Sequence, residues 1–225
     1  MAFTPRILLV LLLPVAMFTA SCKMVGSAAY IVGGLPKVDA EHALANQPTV
    51  VFVDDRHNAI PLSSRSVRRT IADKVSQELM TNKVLAPERT IDPRDAISLV
   101  AAKDRHSDLM PIDAIGRGVG AKQIVYVEML AFSETPDGAT PRPTAMCRVR
   151  VIDVDNRQRL YPPPASQEAS RALRVMLEEI DPTLLRSQSS RLKVHMSLAE
   201  LTGEHIAKLF YKHVPRELGR RLEPK

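Results

Sequence analysis

Two stretches in the second half of the chain restrict its fold more than any others. Ile124 to Phe132 reads IVYVEMLAF, and Ala145 to Val154 reads AMCRVRVIDV. Both are rich in β-branched and apolar residues and are flanked by turn formers, so each predicts a strand. The second alternates. Ala145, Cys147, Val149 and Val151 fall on one face, and Met146, Arg148, Arg150 and Ile152 on the other. Ser133 to Pro143, with three prolines and Gly138, joins the two as a turn region. A tight turn through Asp155-Asn156 leads to Arg159-Leu160-Tyr161 as a closing strand. Pro162-Pro163-Pro164 is expected to end the sheet. Residues 124–161 therefore read as an antiparallel meander.

The first half supplies helices and a further strand. Thr49 to Val53 (TVVFV) predicts a buried strand. Val67, Ile71, Val75 and Leu79 recur every four residues with Ala72 beside them, one apolar stripe of a helix over 65–82. Ser63 or Ser64 would cap it and Asn82 would stop it. Val84 to Ala86 is expected as a short strand. Asp92 and Pro93 open a helix near 93–104, with Ile97, Val100 and Ala101 facing inward. Pro111 opens a short helix over 111–118 that ends in Gly118-Val119-Gly120. Residues 166–196 are expected to be irregular, with a helical stretch from Ala169 to Glu179. Ser197 would cap a last helix over 198–213, on which Leu198, Leu201, His205 and Leu209 keep helical spacing. The tail from Arg216 to Lys225 is basic. No internal repeat is present, so propellers and solenoids are excluded. The expected class is α/β: a single mixed sheet with an antiparallel C-terminal meander, flanked by helices.

The first residues, MAFTPRILLVLLLPVAMFTASC, are a separate matter. Arg6 precedes an apolar run from Ile7 to Phe18, and Thr19-Ala20-Ser21 are small. The run is too short for a stable spanning helix, which needs about 20 residues. It reads as a signal. Ala20-Ser21-Cys22 resembles the lipobox of bacterial lipoproteins, although Thr19 stands where that family prefers Leu. The resemblance implies cleavage before Cys22, lipidation of Cys22, and anchoring by several acyl chains. Lys23 follows Cys22. In proteobacterial sorting an Asp there retains a lipoprotein in the inner membrane, so the expected place is the outer membrane, facing the periplasm. Residues 22–48, rich in Ala and Gly, read as a tether. The expected organisation is a leader over 1–21, this tether, a domain over 49–215 with an irregular insertion at 163–196, and the tail.

The order of elements resembles a known group. The matching residues are Val50 to Val53, the helix from Arg65 to Asn82, and Ile115-Gly116 to Gly120-Ala121. They continue with Ile124 to Glu128, and Val151-Ile152-Asp153 through Leu160-Tyr161-Pro162. In these it is similar to the curli-secretion (CsgG-like) lipoproteins, the penicillin-binding-protein activator LpoB and the N-terminal domain of TolB. Residues 163–196 depart from that group's direct passage from hairpin to helix. The resemblance implies an anticodon-binding-domain-like fold and an envelope lipoprotein that docks on protein partners. It does not extend to a pore. A membrane barrel needs strands of about 9–11 alternating residues, which neither 133–143 nor 163–196 provides.

Catalytic patterns are sparse. Gly116 to Gly120 closes a helix and precedes a strand, the reverse of a phosphate-binding loop, and reads as a helix end and tight turn. Asp54, Asp55, His57 and Asn58 follow the first strand, where two carboxylates and an imidazole could hold a divalent ion. The other reading there is a solvated loop. None of His42, His57, His106, His195, His205 or His213 lies in a His-Glu-x-x-His pattern. His205 and His213 would share a face of the last helix. No Gly-x-Ser-x-Gly elbow occurs. With Cys22 lipidated, Cys147 has no disulfide partner and reads as a core thiol. Arg148 and Arg150, with Glu128 able to pair with one of them, could form a charged docking surface.

The formal charge is +6, and only Arg6 of it lies in the leader. That excess is dispersed and aromatics are few, with no Trp, so nucleic acid is not an expected partner. The expectation is a lipid-anchored, non-enzymatic envelope protein, without cofactor or metal, that binds or helps assemble other envelope components. The alternatives are a small envelope enzyme or metal-binding protein using Asp54, Asp55 and His57, and an anchored structural protein without a specific ligand.

Overall fold

The computed structural model describes residues 37–61, 66–103 and 109–215. The leader, Cys22, the expected caps Ser63 and Ser64, and the basic tail lie outside the described residues. The globular unit begins at Asp39, so the last ten residues of the expected tether belong to it.

Its strands are β1 (Thr49–Asp54), β2 (Thr90–Ile91), β3 (Gln123–Ser133), β4 (Thr144–Asp153), β5 (Gln158–Tyr161) and β6 (Arg171–Met176). Its helices are α1 (Ser66–Thr81), α2 (Pro93–Lys103), α3 (Ile112–Gly118) and α4 (Gln188–Ala207). The strands form one open mixed sheet in the order β2-β1-β3-β4-β5, with β6 also on β4. β1 is parallel to β2 and β3, while β4 runs antiparallel to β3, β5 and β6. β5 and β6 share one edge of β4: β6 pairs Thr144 to Val149, and β5 pairs Val151 to Asp153.

Alternation sends the strand side chains into two separate cores. On one face Val51, Val53, Val125, Val127, Cys147 and Val149 meet the apolar stripe of α1 and residues Val194, Leu198 and Ile206 of α4. α1 and α4 pack along each other. On the other face a smaller core gathers Val50, Phe52, Ile124 and Tyr126 under Ala96 of α2 and Ile115 of α3. Gly116 fits beneath that layer, where a Cβ would stand 2.5 Å from Val154 Cγ2. Gly120, at φ 77°, makes the turn into β3.

The expected strands at 49–53, 124–132 and 145–154 and the first three helices form within one or two residues of their expected ends. Four expectations need correction. The Val84–Ala86 strand does not form. Lys83 takes φ 57°, and the Val84 and Leu85 N–H groups turn back to the Leu79 carbonyl at 2.9 and 3.3 Å, closing α1. The strand forms instead at Thr90–Ile91. Ala101 is exposed, and Ala96 takes the inward place on α2. The sheet does not end at the triple proline. Arg171 to Met176, expected as part of a helical stretch in an irregular insertion, is β6, because β4 extends beyond β5 and offers an unpaired edge. Lastly, α4 starts about ten residues early. Ser187 is its cap, its side chain accepting from the Ser190 N–H at 3.1 Å, and Ser197 is interior. The helix ends at Ala207 and a 3-10 turn at Phe210, so His213 is not on a helix with His205.

Candidate docking face

The layer of α2 and α3 covers Val50 and Phe52 of β1, Ile124 and Tyr126 of β3 and Ile152 at the end of β4. Further along, the same face presents Glu128 from β3, Met146, Arg148 and Arg150 from β4, and Ala172 and Arg174 from β6. Met146 is 40% exposed. Arg148, Ala172 and Arg174 are also exposed, while Glu128 and Arg150 are half-buried.

A polar network marks the boundary between the covered and open parts. Tyr126 Oη donates to Asp54 Oδ2 at 2.6 Å, and both residues are buried. Burial, with the Asp54 carboxylate as acceptor, pushes the phenol well above its ordinary range. Arg56 Nε lies 3.1 Å from the same carboxylate oxygen, and Arg56 Nη2 donates to the Met110 carbonyl at 2.8 Å. The Arg150 guanidinium sits over the Tyr126 ring, 4.8 Å from its centre. It also reaches Glu128 Oε2 at 3.7 Å, while Glu128 Oε1 meets His57 Nε2 at 3.1 Å. Arg148 is the direct cross-strand partner of Glu128, yet the ion pair is the diagonal one with Arg150. Among the described residues, no carboxylate bridges Arg148 or Arg174.

This geometry separates Asp54, Asp55 and His57 rather than joining them. Asp54 serves Tyr126 and Arg56. Asp55 turns into its own loop and accepts from the Ala59 and Ile60 N–H groups at 2.7 and 3.2 Å. Burial pushes its carboxyl up. His57 points to Glu128. Asn58 takes φ 50° in the turn. Among the described residues, no group of three His, Cys, Asp or Glu side chains could hold a metal ion. Cys147 is 1% exposed, and burial pushes its thiol up to about 12.

Three polar features were not read from the sequence. Glu41, in the expected tether, accepts from the Tyr161 hydroxyl and from Arg171 Nε at 2.9 Å. The Arg171 guanidinium holds its carboxyl below the usual range. The Glu41 and His42 N–H groups both donate to the Leu209 carbonyl, at 2.8 and 3.1 Å. His42 packs on Tyr161 and Phe210, and burial lowers its pKa. The second feature is His195, buried on α4 against Phe132, with Nε2 2.7 Å from Glu134. Third, Ser66, Arg68, Arg69, Arg94, Ile97 and Ser98 line a cleft between α1 and α2. Its Arg69 and Arg94 are tied to Asp73 and Asp92. Only Arg148, Arg150 and Glu128 were legible as a group, through β4 alternation. Arg174 depended on a strand the sequence did not disclose.

No family model and no curated protein matches the chain. Among solved structures it is similar to a hypothetical protein from Chlamydia trachomatis, with 14% identity, 72% of this chain and 93% of that one covered, and a TM-score of 0.44. It is also similar to PelC from Paraburkholderia phytofirmans, solved as a dodecamer, with 13% identity, 79% and 99% covered, and a TM-score of 0.39. A lipoprotein from Neisseria meningitidis aligns at 8% identity, 67% and 96% covered, and a TM-score of 0.38. At such scores none of these likenesses carries an argument about this chain.

Proposed function

We propose that this chain is a lipid-anchored, non-enzymatic envelope protein that binds or helps assemble other envelope components, receiving them on the open face of its sheet. The anchor is argued from the leader and Cys22. Among the described residues, no helix is long and apolar enough to cross a membrane. The docking role is carried by one observation: exposed Met146 among Arg148, Arg150 and Arg174 on a sheet face that α2 and α3 leave open. Asp54, Asp55 and His57, the basis of the enzyme or metal alternative, are already engaged with separate partners.

The test combines anchoring and docking in the native host. A photoreactive residue at position 146 or 172 should crosslink to a discrete envelope protein, and one at position 69 on α1 should not. Mass spectrometry of the membrane fraction should find Cys22 acylated at the mature N-terminus, and Cys22→Ala should release or misprocess the chain. An unmodified Cys22 in soluble wild-type protein would remove the anchor. Equal crosslinking from all three positions would remove the docking face.

A further inference from the structure

The cations of the open face stand in a row. Arg148 and Arg150 are alternate residues of β4, so about 7 Å separates them along the strand. Arg174 lies opposite Met146, which makes it the diagonal neighbour of Arg148, again about 7–8 Å away. Exposed Met146 sits beside this line. Of the carboxylates near this row, Glu128 is already held by His57 and Arg150, and Asp137, which lines a shallow pocket together with Arg174, accepts from the Ala139 and Thr140 N–H groups at 3.0 and 2.8 Å. A surface that only needs to stay in water mixes both signs. Here Arg148 and Arg174 stand without a bridging carboxylate among the described residues.

Building on the docking reading, we infer that the row Arg150-Arg148-Arg174 receives an acidic protein segment. Its Asp or Glu side chains would recur at about 7 Å, as on alternate positions of an extended strand. Guanidinium forks match carboxylates in shape and charge. Met146 offers an apolar seat that a protein side chain can fill and a uniform polyanion cannot. The aromatic ring at this boundary, Tyr126, is covered by Arg150, which removes the stacking platform that single-stranded nucleic acid uses.

The test is fluorescence anisotropy on the full-length, detergent-solubilised chain. The probe is a labelled peptide of alternating Glu and Ser. The comparators are its Gln counterpart, polyphosphate, a single-stranded oligonucleotide and vesicles containing phosphatidylglycerol. The Glu peptide should bind and the Gln peptide should not, and binding should vanish at about 1 M salt, where charges are screened within ~3 Å. Arg148→Glu with Arg174→Glu should weaken it at least about tenfold, the loss expected when guanidinium–carboxylate contacts become repulsive. The equal charge change Arg186→Glu with Lys193→Glu should leave it unchanged. Arg148→Gln with Arg174→Gln, which adds no repulsion, should also weaken binding while keeping the wild-type circular dichroism spectrum. The inference is overturned by affinity no tighter than millimolar, by indifference to the face variants, or by tighter binding of polyphosphate, oligonucleotide or vesicles through the same arginines. A partner crosslinked at position 146 without affinity for the Glu peptide would reject the acidic class and leave docking standing. Peptide affinity without any crosslinked partner would do the opposite.

Discussion

Gly203 on α4 is the sharpest test of how the larger core is closed. It sits where α4 meets α1, and a Cβ built there would stand 2.7 Å from Lys74 Cβ, 2.9 Å from the Ile71 carbonyl oxygen and 2.9 Å from Lys74 Cγ. The first two atoms are fixed to the α1 backbone, so no rotamer change relieves the contact and the helices must part. Overpacking of this kind costs about 1–3 kcal/mol. An alanine in a helix interior returns about 1 kcal/mol relative to glycine. For Gly203→Ala the clash therefore wins by about 1 kcal/mol. Gly203→Val adds two methyl groups toward the same wall with a smaller propensity gain, and should lose about 3 kcal/mol. With roughly 2–4 °C per kcal/mol for a chain of this size, the midpoints should fall by about 3 °C and about 9 °C. Gly118→Ala is the control. Its nearest obstacle is Leu99 Cδ2 at 2.4 Å, the movable end of a side chain, so it should be close to neutral. Thermal unfolding followed by circular dichroism reads all three. A Gly203→Ala variant as stable as wild type, or more stable, would refute the claim that close approach of α1 and α4 requires glycine.

Three further outcomes are expected. Tyr126→Phe removes the donor to the buried Asp54 carboxylate and should lower stability by about 2 kcal/mol, read from the urea midpoint. A loss below about 0.5 kcal/mol would mean that Arg56 alone satisfies Asp54. Acid should free residues 39–48. His42 lies below its ordinary 6.5 and Glu41 below its ordinary 4.5 in the fold. For both, the unfolded form binds protons first, so the stabilisation is complete above the ordinary value and is lost as pH falls through the folded one. Exchange protection of the Glu41 and His42 amides should begin to weaken below pH 6.5 and drop further below 4.5, and flat protection down to pH 4 would contradict this. Cys147 should resist iodoacetamide at pH 8 in the native protein and react fully in denaturant, as peptide mapping would show; native labelling would mean that the thiol is not buried as described.

The parts legible in the sequence are those whose signal is local. Val67, Ile71, Val75 and Leu79 mark α1 through their own spacing, and the Ala145–Val154 alternation marks both β4 and the outward placement of Arg148 and Arg150. What stayed hidden was decided at a distance. Arg171, Ala172, Leu173 and Met176 are residue types that favour helices, and they form β6 because the Thr144–Val149 edge of β4 has no other partner. Ser197 has the chemistry of a cap, but Val194 and His195 are buried against the sheet, so α4 continues back to Ser187. Glu41 has no periodic neighbour to announce it. Its role exists only because Tyr161 and Arg171 arrive at the same place from two different strands. Arg174 joined the candidate face for the same reason that β6 exists.

The shared edge of β4 also bears on what the sheet offers to another strand. Natural sheets that end in long, flat, unpaired strands recruit copies of themselves. Here one border of the sheet is the two-residue β2, and the opposite border is divided between β5 and β6, with the Pro162–Ser170 link leading out of the sheet between them. Neither border offers an unbroken template longer than six residues. Arg171 and Arg174 put positive charge on the longer piece. A sheet whose inner strands are ten and eleven residues long is thus bordered, among the described residues, by short segments of two, four and six residues.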